Sequence, residues 1–293
     1  MLPRQNLVIY HGHCADGMGA AWAAHKRLGD TAEYQMGLYN DPLPDLNMFA
    51  KRDVYIVDFS YSADFIRQIG LVAASVTVID HHKSAMKDLT GQIFPRGVNV
   101  HFDMNRSGAG MTWDHFHEEP RPKLIDYIED RDLWQWKLPY SREVSAYISL
   151  HNLSIEDFEK LNNELNVYGV DEMASKGAIL LKQQDKFTGK ICNFAFERTL
   201  PSPVGALKVL FVNTSTLVSE VGNQLLRSNP NVAFVAMWYD SSPNVRIWSL
   251  RANDKFDCSV LAKALGGGGH PNAAGFTTSP KFMLDEIPYG KPS

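Results

Sequence analysis

The tightest constraint in this sequence is Val76-Thr77-Val78-Ile79, followed at once by Asp80-His81-His82. So short a run of β-branched residues reads as a buried strand. A strand that ends in Asp-His-His delivers one carboxylate and two imidazoles to the rim of a sheet. In open α/β sheets, ligands bind outside the carboxyl ends of the strands.

The same arrangement occurs twice upstream. Leu7-Val8-Ile9-Tyr10 is a strand that stops at His11-Gly12-His13-Cys14-Ala15-Asp16-Gly17, and an Ala-rich helix then runs to Leu28 and closes at Gly29. Val54-Tyr55-Ile56-Val57 ends at Asp58-Phe59-Ser60, and residues 63–72 carry apolar side chains at helical spacing. Strand, polar loop and helix in repetition predict βαβ units and a parallel sheet. Chance would scatter acids and histidines; three strand ends in succession place them together. His11, Asp16, Asp58, His81 and His82 are therefore candidate site residues.

Further on, Asn105 to Gly110 opens a helix, with Ser107 either an ordinary N-cap or part of a loop facing an anion. Lys123 to Ile128 reads as a helix running into Glu129-Asp130-Arg131-Asp132. The Leu133-Trp134-Gln135-Trp136 that follows pulls this acidic cluster toward the core, so at least one acid is expected inside. Residues 154–190 continue with helical periodicity. Cys192 to Arg198 alternates and is expected to pair as a strand with 207–212, ahead of a helix over 217–227 and strands over 232–238 and 245–251. Gly266 to Gly269 and His270 follow.

Length and composition set the frame. At 293 residues, 44% hydrophobic and 21% charged, the chain affords two globular domains. The expected class is α/β: a parallel-sheet domain over 1–150, a helical connector over 151–190, and a smaller α/β domain with a mixed sheet over 191–293. A net charge of −4 argues against coating nucleic acid by bulk electrostatics. Cys14, Cys192 and Cys258 are isolated and odd in number, which excludes a disulfide scaffold. With no leader pattern at the N-terminus and no apolar run of bilayer length, the expected location is the cytoplasm.

Imidazole nitrogen mixed with carboxylate oxygen suits Mn²⁺, Mg²⁺ or Fe²⁺, with Zn²⁺ also accommodated. Several acids at one edge suit two ions bridged by a carboxylate, for which Asp58 is the natural candidate. His82, beside the ligand His81, could instead face the substrate. Four glycines exceed what a helix stop needs. Gly267, Gly268 and Gly269 let a ligand approach the backbone, and His270 would donate to an anion. Arg251, at a strand end, becomes a phosphate or base contact if the two domains face each other.

These residues resemble the DHH phosphoesterase superfamily with its DHH-associated C-terminal domain. The resemblance rests on Asp80-His81-His82 after a strand, the upstream Asp58, the His11…Asp16-Gly17 loop, the acids at Asp130, and Gly-Gly-Gly-His-Pro-Asn-Ala-Ala-Gly-Phe near the C-terminus. It covers essentially the whole chain and implies two lobes with a two-ion manganese centre. Asp16, Asp58, His81 and Asp130 would hold one ion, and His11 with Asp58 the other. His82 would face the substrate, Asp80 would orient an imidazole, and Arg251 with the glycines and His270 would hold a nucleotide. The chain departs from the family in one place: the family's first loop carries an acid where this chain has Cys14. Either His13 compensates, Cys14 ligates, or that ion site is weak. Asp132 is a rival to Asp130.

The expected activity is a metal-dependent phosphodiesterase acting on short oligonucleotides or small nucleotides, with Mn²⁺ or another divalent ion such as Mg²⁺. No membrane and no long nucleic-acid scaffold are expected as partners, and a homodimer is left open. The alternatives are a pyrophosphatase or polyphosphatase, and a nucleotide sensor whose turnover is reduced.

Overall fold

A computed structural model describes residues 5–39, 41–201, 205–282 and 284. The chain forms two compact units, residues 1–181 and 182–293.

In the first unit, β1 (Asn6–His11) leads into α1 (Ala15–Leu28), β2 (Ala32–Gly37), β3 (Asp53–Val57), α2 (Ala63–Val72), β4 (Ser75–Asp80), α3 (Lys83–Leu89) and β5 (Val98–Phe102). The helices α4 (Gly108–Phe116), α5 (Lys123–Asp132) and α6 (Ser141–Ile148) follow. The sheet is parallel throughout, in the order β2-β1-β3-β4-β5. The three strands expected to carry site residues are thus neighbours, and their carboxyl ends lie side by side.

Both faces of this sheet are covered, as parallel sheets require. One face packs Ile9, Ile56, Val76 and Val78 against Phe65, Ile66 and Ile69 of α2. The other sets Val8, Val57 and Ile79 against Ala20 and Ala24 of α1. Alanines at that contact let α1 sit close to the sheet. Strand β2 is not evident in the sequence, because its middle residues Glu33 to Met36 are exposed or half-buried and supply no apolar run.

Helix α7 (Ile155–Cys192) is interrupted at Gly169, where φ is 79°. The break between units falls inside it, at Leu181/Lys182. The stretch expected to be a connector is no separate layer here. Phe158, Leu161, Leu165 and Met173 of α7 are buried with Trp22, Trp113 and Ile128 in a core of the first unit.

The second unit holds β6 (Phe196–Leu200), β7 (Leu207–Asn213), α8 (Val218–Ser228), β8 (Phe234–Ser242), β9 (Val245–Ala252), α9 (Cys258–Ala264), β10 (Gly268–His270) and β11 (Ala273–Thr278). Its mixed sheet runs β10-β11-β9-β8-β7-β6, with only β7 and β8 parallel. The strand expected from Cys192 begins instead at Phe196, because Cys192 still belongs to α7 and packs with Val221.

Candidate metal centre

Asp58 is the hub. It follows β3 directly, and its backbone is left-handed (φ 53°), a region that Asp visits more readily than most residues. Its side chain is 2% exposed, with Oδ1 lying 3.1 Å from His81 Nε2 and Oδ2 3.4 Å from His11 Nδ1. Each oxygen therefore faces a different imidazole. Burial alone would raise its carboxyl pKa, but the close imidazoles of His11 and His81 and the charge of His82 outweigh it and hold Asp58 well below the usual range.

His81 Nε2 is also 3.5 Å from Asp16 Oδ2 and 3.6 Å from Asp132 Oδ2. One imidazole nitrogen thus faces three carboxylates. Although burial opposes its protonation, Asp58, Asp132 and Asp16 raise its pKa to about 10. Burial and the charges of Asp58 and Asp132 push Asp16 well upward.

The N-terminus of α4 holds Asp16 in place. Gly108 N–H donates to Asp16 Oδ2 at 2.7 Å and Ala109 N–H to Oδ1 at 2.9 Å. The anion that this loop was expected to face is a carboxylate of the chain itself. Only glycine fits at 108: a Cβ there would stand 2.4 Å from that of Asp58. Ser107 is the N-cap, its Oγ accepting from Gly110 N–H at 3.1 Å.

Asp80 and His82 form a second pair. Asp80 Oδ1 accepts from the backbone N–H groups of His81 (2.7 Å) and His82 (3.2 Å), and Ser60 Oγ donates to Oδ2 at 2.7 Å. His82 Nδ1 lies 2.6 Å from Asp80 Oδ1. Since the carboxylate can only accept, Nδ1 carries the proton. Burial lowers the His82 pKa, and Asp80 more than restores it, so the net shift is upward.

In the acidic cluster the two candidates part. Asp130 is buried and accepts from the backbone N–H of Lys137 (2.9 Å) and Leu138 (3.3 Å), closing the turn after α5. Asp132 is the acid that reaches His81. Of the two acids it is therefore Asp132, and not Asp130, that faces the imidazole, because a short slip along the helix turns a carboxylate from the loop backbone to the centre. His13 is exposed, with φ at 61°, and belongs to none of the metal-type clusters among the described residues.

Cys14 does join the centre. Its Sγ caps α1 by accepting from Gly17 N–H at 3.2 Å, and lies 3.5 Å from both His11 Nδ1 and Asp58 Oδ2. Burial and the charges of Asp58 and Asp16 keep the thiol pKa high while no cation is present.

Tyr39 is an addition to the expected set. Its ring lies 5.4 Å from that of His11, 6.0 Å from that of His82 and 4.7 Å from that of Phe59. Arg131, beside Asp132, stacks 4.4 Å over Trp134, and both Trp134 and Trp136 have left-handed backbones. A lone Tyr beyond a polar strand carries no signal in sequence, and the Trp pair reads as core.

The remaining candidates belong to the second unit. Arg251 on β9 pairs in register with Ala273 of β11, which pairs in turn with His270 of β10. Arg251 Nη2 donates to Ser219 Oγ at 2.8 Å. The glycine run is the tight edge of this sheet, with Gly268 and Gly269 in β10; a Cβ on Gly267 would meet the Gly275 carbonyl oxygen at 2.0 Å. Chain packing thus accounts for Gly267 without a ligand.

The buried groups fit divalent cations. Asp16, Asp58 and His81 present donor atoms within 4.8 Å of one another, as do His11, Cys14 and Asp58. Asp58 Oδ1 is buried with no hydrogen-bond partner. Several buried carboxylates at this spacing repel one another, and a cation relieves them.

The first unit is thus a doubly covered parallel sheet with acids and imidazoles gathered at the carboxyl ends of its strands. Residues 207–287 match the DHHA1 domain family. Over 294 residues the chain is 32% identical to the uncharacterized protein R106 of Acanthamoeba polyphaga mimivirus, covering 94% of this chain and 68% of that one. It is 23% identical to oligoribonuclease NrnB of Bacillus subtilis (strain 168), over 91% of this chain and 71% of that one. RecJ of Thermus thermophilus, solved in complex with Mn²⁺, superposes with a TM-score of 0.51 at 14% identity, over 94% of this chain and 50% of RecJ. The chain belongs to the DHH phosphoesterase superfamily and carries a DHHA1 domain.

Proposed function

We propose that the protein is a divalent-metal-dependent phosphodiesterase that hydrolyses short oligonucleotides or small nucleotides in the cytoplasm. The observation that carries this reading is Asp58, buried and shared between His11 and His81 on its two oxygens. Asp16, His81 and Asp132 would hold one ion and His11 the other, with Asp58 serving both. Such ions activate water and neutralise charge on a phosphoryl group.

The chain's own residues supply orientation and a proton. Asp80 fixes His82 through Nδ1 and favours its imidazolium, whose opposite ring N–H would serve as a donor. There it would hydrogen-bond a phosphoryl oxygen or protonate the leaving oxygen. Tyr39 and the Arg131–Trp134 stack flank these groups and suit a base or sugar face. NrnB, by its name an oligoribonuclease, supports a short nucleic-acid substrate. So does the net charge of −4, which disfavours a long basic channel.

A hydrolysis panel with Mn²⁺, Mg²⁺ or no metal tests the reading, using RNA dinucleotides, longer single-stranded DNA, cyclic dinucleotides and pyrophosphate. Metal-dependent cleavage of the dinucleotides, abolished in Asp58→Ala and His81→Ala, is expected. Cleavage of pyrophosphate alone, or stoichiometric nucleotide binding without turnover, overturns it.

A further inference from the structure

Cys14 brings a soft donor into a site otherwise built of oxygen and nitrogen. Its sulfur, His11 Nδ1 and an Asp58 oxygen surround one point, all within 4.8 Å of one another. Asp58, 2% exposed, turns Oδ2 to this point, 3.4 Å from His11 Nδ1 and 3.5 Å from Cys14 Sγ. Capping α1 does not explain the choice of residue, since Ser, Asp or Asn caps a helix better than sulfur does.

Resting on the two-ion reading above, we propose that Cys14 is a metal ligand. The ion held by His11, Cys14 and Asp58 is then a thiophilic divalent cation of the Zn²⁺ or Co²⁺ type. On binding, the Cys14 thiol releases its proton to solvent and the sulfur lone pair forms the bond to the metal. One thiolate and a share of one carboxylate offset most of the charge of the dication. The other side of Asp58 faces Asp16, His81 and Asp132, which offer oxygen and nitrogen only, so it keeps the preference for harder ions. The centre has two unlike halves.

Cobalt titration of the full chain, stripped of metal with a chelator, tests this spectroscopically. Visible d–d bands report occupancy, and an intense near-ultraviolet band reports a sulfur–cobalt bond. Both are expected in the wild type and in the double variant Cys192→Ser/Cys258→Ser. Cys14→Ser and Cys14→Asp should keep the visible bands and lose the near-ultraviolet one. Cys14→Asp should also bind Zn²⁺ more weakly, by about tenfold or more. Visible bands without the sulfur band in the wild type, or a sulfur band that survives Cys14→Asp, overturn the inference and leave the centre standing. Absence of both bands removes the centre and the functional reading with it.

Discussion

Asp130 and Asp132 show how finely a residue's role depends on direction. Both lie in one acidic run, yet one carboxylate closes a turn and the other faces His81. Asp132→Asn should weaken Mn²⁺ or Co²⁺ binding by about tenfold or more, with little loss of apoprotein stability. Asp130→Asn should do the reverse, costing about 1–3 kcal/mol in urea unfolding while metal affinity stays near wild type. Equal metal loss in both would return the ligand role to Asp130. Asp80→Asn removes the negative charge that holds the His82 imidazolium, so kcat should fall about 10–100-fold, more than metal affinity falls. A pure KM effect would place His82 in binding alone.

At the scale of elements, the centre depends on how α4 and α5 are clamped. Arg106 and Arg121 each bind both Asp114 of α4 and Glu129 of α5. Glu129 also accepts from Ser107 N–H, at the loop that holds Asp16. Partial burial raises the Asp114 pKa, but the bonds from Arg121 and Arg106 exceed it and depress the value in the folded chain. A depressed folded pKa gives stability that is complete above the unfolded value of about 3.9 and is lost as pH falls through the folded one. Urea midpoints of the apoprotein should therefore drop more steeply below about pH 4 in the wild type than in Asp114→Asn. Parallel curves would show that the clamp adds nothing. Gly108→Ala would drive a methyl into Asp58 and should abolish metal binding even where the fold survives.

For the whole molecule, charge decides the reach of the substrate. On the proposed reading, one or two phosphates of the substrate engage the centre closely, in keeping with a net charge of −4. With single strands, about two phosphate contacts imply roughly a sevenfold rise in KM for a fourfold rise in salt. Raising salt from about 50 to 200 mM should therefore change the dinucleotide KM by no more than about tenfold. A change of a thousandfold would reveal an extended basic track.

Much of this protein is legible in its amino-acid sequence, because the signals are local. Short β-branched strands that end in Asp or His specify a parallel sheet with a polar rim, and Asp80, His81 and His82 lie at the strand end that their order predicts. Strand β2 is hidden by its exposed middle residues, and the start of β6 by α7 running on through Cys192. What tertiary structure alone decided is where side chains of distant segments converge. The donation of the α4 amides to Asp16 is one such case; others are the turn of Asp132 toward His81, the approach of Tyr39, and the meeting of Cys14 with His11 and Asp58. Sequence spacing reports which way a side chain points along its own element. Only packing of separate elements sets the few ångströms that gather acids, imidazoles and a thiol at one place.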